Sequence, residues 1–233
     1  MHLRFRFNKS GKVRFTSHRD VARIWERVLR RAGLPLAYSE GFSPRPRLSF
    51  GLALSTGYES DAEYLDARLR EPIDFHDLPE RLSALLPVGM DVTGVVEIPS
   101  SADSLQQAVT SCRWEVDVIG VDEQIAAEAV ARALAATEIV VTRERKGKQV
   151  TDDLRPGVLA LDVLEPTESG CRLAAELGTQ PRALRPAELL NALEPRLEAL
   201  VVRRTHQWIT AGDERCEPLA IAPSPATSNI EVS

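Results

Sequence analysis

The sequence predicts an α+β protein built from two tandem ferredoxin-like units, each β-α-β-β-α-β with an antiparallel sheet. Its 233 residues exceed the usual single domain and suggest two compact units of roughly 100 residues each. Strand-like and helix-like apolar periods follow one another in the same order twice, and a polar stretch at 100–104 falls between the two runs. The expected organisation is a basic first unit over residues 1–100, a linker at 101–110, a second unit over 111–210 and a disordered tail at 211–233.

In the first unit Leu3, Phe5 and Phe7 alternate with Arg4 and Arg6, the period of a strand with one buried face. Ser17, His18, Arg19 and Asp20 form a capping-box pattern that should open a helix. Val21, Ile24, Trp25, Val28, Leu29 and Ala32 recur at three- and four-residue spacing, and Gly33 supplies a left-handed stop. Leu48, Phe50, Leu52 and Leu54, then Leu65, Ala67 and Leu69, read as a hairpin pair. A helix through Leu78, Leu82, Leu85 and Leu86 and a strand from Val92 to Ile98 complete the unit.

The second unit starts with a strand at Trp114, Val116 and Val118 and an Ala-rich helix over 123–136. Strands are expected at 138–144, 157–164 and 171–177. Pro186 fits the first turn of a helix carrying Leu189, Leu190, Leu193 and Leu197, and a Val- and Arg-rich strand follows at about 199–209. From residue 217 the Pro, Ala, Ser and Thr content is too poor in core-forming side chains to fold alone.

No apolar run approaches the roughly 18 residues of a membrane span, and the N-terminus lacks the apolar stretch of a signal peptide, so the expected location is cytoplasmic. Cys112, Cys171 and Cys216 are odd in number and far apart, which argues against a disulfide scaffold, a zinc knuckle or an iron–sulfur site. Asp152 and Asp153 are neighbours on a predicted strand and point to opposite faces, a poor metal pair. No metal or cofactor of the chain's own is expected.

Net charge is −5, but residues 1–58 hold 12 Lys and Arg against 3 Asp and Glu, a balance of +9. Such asymmetry suggests a polyanionic partner for the first unit. If the Leu and Phe positions face the helices, the opposite sheet face displays Arg4, Arg6, Arg47, Ser49, Tyr64 and Arg68, with Tyr64 available for base stacking. Arg19, Arg23 and Arg27 stand at successive four-residue steps of the first helix, where like charges repel by a few tenths of a kcal/mol per pair unless an anion relieves them. Ser39, Ser43, Arg45 and Arg47 line a Pro-stiffened loop of donors. Lys146, Lys148 and Arg155 add a second basic turn. Solvated helix faces, an edge-strand connection and a soluble hairpin tip account for the same residues without a ligand.

The stretch Val13 to Asp66 resembles the N-terminal signature of a bacterial radical-SAM-linked protein family, a domain of unknown function. The resemblance runs through Ser17-His18, Arg31-Ala32-Gly33, Ser39, Gly41-Phe42, Pro44, Pro46, Ser49-Phe50, Gly57 and Glu63-Tyr64. It continues more loosely through Arg143, Lys146-Gly147-Lys148, Asp153-Leu154-Arg155-Pro156 and Arg185-Pro186, so that it covers roughly residues 1–210. Where many relatives have Asn-Pro-His-Pro-Lys, this chain has Ser43-Pro44-Arg45-Pro46-Arg47. The resemblance implies a partner, a radical-SAM protein with a cobalamin-binding-type domain, and proximity to RNA processing. The chain lacks the three-cysteine cluster motif of such enzymes, so radical chemistry belongs to another polypeptide.

Three functions follow as expectations. The first is a non-catalytic RNA-binding accessory that presents tRNA, rRNA or a ribosomal component to a radical-SAM modifying enzyme. The second is a metal-independent endoribonuclease in which His18 acts as general acid or base, with Ser17, Tyr38 or Arg19 assisting at the scissile phosphate. The third is a protein-interaction module that docks the partner enzyme without RNA contact.

Overall fold

A computed structural model describes residues 1–145 and 147–220. In chain order these fold as β1 (His2–Lys9), α1 (His18–Arg31), β2 (Leu48–Phe50), β3 (Glu59–Arg68), α2 (Leu78–Ser83) and β4 (Val92–Glu97), followed by α3 (Leu105–Ala108) and β5 (Ser111–Ile119). The remainder is α4 (Glu123–Ala135), β6 (Val140–Arg145), β7 (Lys148–Asp153), β8 (Val158–Thr167), β9 (Gly170–Gly178), α5 (Pro186–Ala192), β10 (Glu198–Ala211) and β11 (Glu214–Cys216). The fold is mixed α+β with a mostly antiparallel sheet and few helices.

Nine strands share one sheet in the order β4-β1-β3-β10-β5-β9-β8, with β2 on β3 and β11 on β10. Two separate sheets were expected; instead β3 and β10 pair in parallel, through Arg203 opposite Glu59 and Arg204 opposite Ser60, and make the sheet continuous. The free backbone edge that each half would present is thereby removed at the join.

The first core lies on one face of β1 and β3. Leu3, Phe5 and Phe7 point into it, and Trp25 of α1 packs on Phe5 and Phe7 with ring centroids 6.0 and 4.9 Å away. Aromatic contacts of this geometry contribute about 0.5–1.5 kcal/mol beyond area burial. The Ser17 hydroxyl accepts from the Asp20 amide at 3.2 Å and donates to its carboxylate at 2.7 Å, which starts α1 where the capping pattern placed it. Gly33, at φ +76°, stops it. The second core gathers Trp114, Val116 and Val118 of β5 with Ala126 and Val130 of α4 and Leu189 and Leu190 of α5.

Several elements depart from the sequence expectation. β2 stops at Phe50; the Gly51 amide still donates to the Tyr64 carbonyl at 3.0 Å, but Leu52 and Leu54 lie outside the strand. The linker is not bare chain: its α3 buries Leu105 beneath the first half. The strand expected at 138–144 leaves the main sheet and pairs with β7 as a separate ribbon. The tail also forms structure, since β10 runs to Ala211, turns into β11, and residues 217–220 pack on the sheet. Residues 221–233 lie outside the described residues.

Candidate nucleic-acid interface

The loop from Tyr38 to Arg47 is closed at its neck by backbone. Tyr38 bridges Pro46, the Arg47 amide donates to the Ala37 carbonyl at 2.8 Å, and the Ser39 amide donates to the Arg45 carbonyl at 2.8 Å. The Ser39 hydroxyl accepts from the Arg45 amide at 3.1 Å, so Ser39 clamps the loop rather than standing ready for a ligand. Gly41 turns the chain at φ +124°, a left-handed conformation that favours glycine. The closed neck carries a fully exposed Phe42, a half-exposed Tyr38 and the exposed side chains of Ser43, Arg45 and Arg47.

Arg47 also reaches a groove of about 710 Å³ at the end of the sheet, where His2, Arg68 and Ser100 join it. A smaller recess of about 210 Å³ continues past Ser49 and Ser104. Arg68 donates to the Ser100 carbonyl at 3.3 Å. Burial lowers the pKa of His2 against the opposing pull of Asp66, so the imidazole tends toward its neutral form.

The sheet face opposite α1 and α2 does not display its arginines as expected. The register pairs Arg4 with Asp66 and Arg6 with Tyr64 on that face. Arg4 is only 5% exposed and forms a bidentate pair with Asp66, at 2.7 and 2.9 Å. Tyr64 is 1% exposed, and burial pushes its hydroxyl pKa up. Neither is open to a base or a phosphate. The burial has two causes: α3 covers the Gly51 end, and residues 217–220 lie across the middle, with Glu217 near Arg6 and the Pro218 carbonyl accepting from Arg4.

On α1, Arg19, Arg23 and Arg27 are exposed. Arg23 pairs with Asp20 at 3.0 Å and Arg30 with Glu26 at 3.1 Å. Arg19, Arg27 and Arg31 make no ion pair among the described residues. His18 is the first residue of α1, exposed, with its ring edge-on to Phe50 at 5.5 Å. Ser17 is committed to the helix cap and Tyr38 bridges Pro46 in the loop neck, and among the described residues neither hydroxyl hydrogen-bonds to His18.

Arg155, expected to meet RNA, instead donates to the carbonyls of Ala136, Leu134 and Val158 at 3.2, 3.1 and 3.0 Å and ties the end of α4 to β8. Lys148 is exposed on β7; Lys146 lies outside the described residues. Asp152 holds Arg143 and Arg182, while Asp153 accepts from the amides of Ile139 and Arg155. The sequence reading missed Phe42 as a display residue, although an aromatic inside a run of Ser, Pro and Arg was the available signal. It also missed Lys9, whose ammonium is buried and donates to the carbonyls of Thr16 and Arg14 at 2.8 and 3.2 Å. Burial lowers the Lys9 pKa.

Architecture and site thus define an α+β protein with an aromatic, arginine-bearing loop on the edge of a continuous sheet. The chain belongs to the family described as an uncharacterized protein conserved in bacteria (DUF2344), whose model matches residues 2–186. No curated protein matches the sequence significantly. Among solved structures, a chain of a Cbf5-Nop10-Gar1 complex is similar with a TM-score of 0.49 at 10% identity, over 87% of this chain and 49% of that one. This chain therefore spans about half the length of that neighbour. Among the described residues no helix is long and apolar enough to cross a membrane.

Proposed function

We propose that the chain is an RNA-binding accessory protein that presents tRNA, rRNA or a ribosomal component to a radical-SAM modifying enzyme and has no reaction of its own. The observation that carries this reading is the loop at 38–47, which holds a fully exposed Phe42 beside Arg45 and Arg47 on a backbone-closed neck. An exposed phenyl ring on a loop is free to stack on a ligand. Stacking on an unpaired base, with arginines on the flanking phosphates, suits its chemistry. The pre-formed neck limits the entropy lost on binding. Arg47 and Arg68 in the groove beside His2, and Arg19, Arg27 and Arg31 on α1, are further exposed cations. A radical-SAM partner is supported by the sequence resemblance alone. We also favour a reading of the two halves as ferredoxin-like units fused edge to edge, because β4-β1-β3-β2 and β10-β5-β9-β8 repeat one strand order.

The test is equilibrium binding of a single-stranded oligoribonucleotide to the full chain at several salt concentrations. Phe42→Ala should weaken binding by about 1–3 kcal/mol, the usual worth of one base–aromatic stack. Arg45→Ala should lower the slope of log affinity against log salt by about one charge contact. An RNA affinity indifferent to both substitutions, or insensitive to salt, would remove the loop from the proposal.

A second reading has its own support. Ile24, Val28, Leu85, Leu86 and Pro87 line a groove of about 470 Å³ between α1 and α2, flanked by Arg27 and Arg31 and by an exposed Val88. Apolar walls with a cationic rim suit an acidic protein surface, the docking function without RNA. Retention of a radical-SAM protein through nuclease treatment, and its release by Val88→Glu, would favour this over RNA presentation.

A further inference from the structure

The segment Glu217-Pro218-Leu219-Ala220 lies on the sheet face that the sequence assigned to a polyanion, and its contacts have the character of a ligand's. Glu217 places one carboxylate oxygen 3.7 Å from an Arg6 nitrogen and the other 3.8 Å from His206 Nε2. Both separations exceed an ordinary charge-assisted hydrogen bond. The Pro218 carbonyl takes a hydrogen bond from Arg4 at 3.2 Å, and Leu219 fills the space above Gly94, where an added Cβ would lie 2.7 Å from its Cδ1.

Beneath this strap polar groups are left over. The Tyr64 hydroxyl, on a side chain 1% exposed, has no hydrogen-bond partner among the described residues, and neither do Arg6 Nε and His206 Nδ1. Buried donors of this kind normally find partners. The far side of the site is stiffened by a stack: His206 lies parallel to Trp208 at 5.1 Å, and Arg215 lies over Trp208 at 4.1 Å.

We infer that Arg6, Tyr64 and His206 form a phosphate-binding site, occupied in this conformation by the chain's own Glu217, and that residues 217–220 are a displaceable strap over it. A phosphate offers more acceptor oxygens than a carboxylate, enough to accept from the Arg6 guanidinium and the His206 imidazole that flank Glu217 and from the phenol of Tyr64, the cross-strand partner of Arg6. Arg4 stays with Asp66 and fixes the floor. The inference rests on the RNA reading in taking a backbone phosphodiester as the ligand; a free phosphate is the other source of the same chemistry.

The experiment compares the full chain with Glu217→Gln, which removes the competing carboxylate, and with Gly94→Val, which dislodges Leu219 without touching a charge. A chain ending at Cys216 is the third form. Each is titrated with inorganic phosphate and separately with a single-stranded oligoribonucleotide, read by the His206 ring resonances, while circular dichroism reports folding. All three variants should bind phosphate at least tenfold more tightly than the unsubstituted chain, and Arg6→Gln in the Glu217→Gln background should abolish the gain. Oligoribonucleotide perturbing the same His206 signals identifies the phosphodiester as the ligand. A His206 response to phosphate alone upholds the site and overturns its assignment to RNA. Folded variants whose His206 signals respond to neither probe overturn the inference, while RNA binding through Phe42 in those same samples leaves the broader function standing.

Discussion

Arg204 and Arg45 are the same residue type doing opposite work. Arg204 is 1% exposed at the join of the two halves, where it donates to Glu63 and to the Leu52 carbonyl and lies over Trp114. Arg45 stands in water on a loop, with no carboxylate among the described residues to meet it. Between them lie Arg4 and Arg6, one paired with Asp66 and the other facing Glu217 across a longer gap. Cations that close the fold are matched within hydrogen-bond reach by carboxylates, as Arg204 and Arg4 are, or by backbone carbonyls, as Arg155 and Lys9 are. Those that remain unmatched, or loosely matched, are the ones we propose for a partner's charge. A buried pair gives little net stability, yet removing one partner is costly because it strands a desolvated charge.

The contrast is broken most directly at Glu63. Glu63→Ala strands Arg204 in the seam and should destabilise the chain by about 3–5 kcal/mol, read by denaturant unfolding. Phe42→Ala and Arg45→Ala should leave the same unfolding curve within about 0.5 kcal/mol. Equal losses at both places would mean that the loop, too, is structural.

A smaller effect sharpens the picture of the seam. Glu59 is buried, which opposes ionisation, yet hydrogen bonds from Arg203, the Gly11 amide and Arg14 hold its carboxyl below the usual range. A depressed carboxylate contributes stability that is fully present above its unfolded pKa and is lost as pH falls through its folded one. The stability gap between the unsubstituted chain and Glu59→Gln should therefore shrink as pH is lowered from about 6 to about 3. A gap independent of pH in that window would show that the ion pairs do not link the halves. The smallest effect belongs to α1, where Arg30→Ala removes an exposed pair with Glu26 and should cost about 0.3–0.5 kcal/mol.

Much of the fold was legible because it is local. The Ser17 cap, the apolar stripe through Trp25 and the Gly33 stop each involve residues within a few positions of one another, and α1 forms over His18–Arg31 as those signals require. The alternation in β1 likewise fixed which side chains enter the first core. The loop was legible as a donor-rich turn, but its display residue was not weighed, because periodicity says nothing about an aromatic outside a helix or strand.

What the sequence by itself determined is most of the helices and strands, their order and the inward face of β1, since each follows from backbone geometry and side-chain period; α3, β7 and β11 were not among them. Only the tertiary structure decided that β3 meets β10 in parallel, that Arg4 and Tyr64 are covered, and that Glu217 lies beside Arg6. Those outcomes join residues as far as 214 positions apart, as Arg4 and Pro218 are. Nothing in a local pattern records which distant carboxylate will neutralise a given arginine; that is settled only when packing desolvates the charge and leaves it one partner within reach.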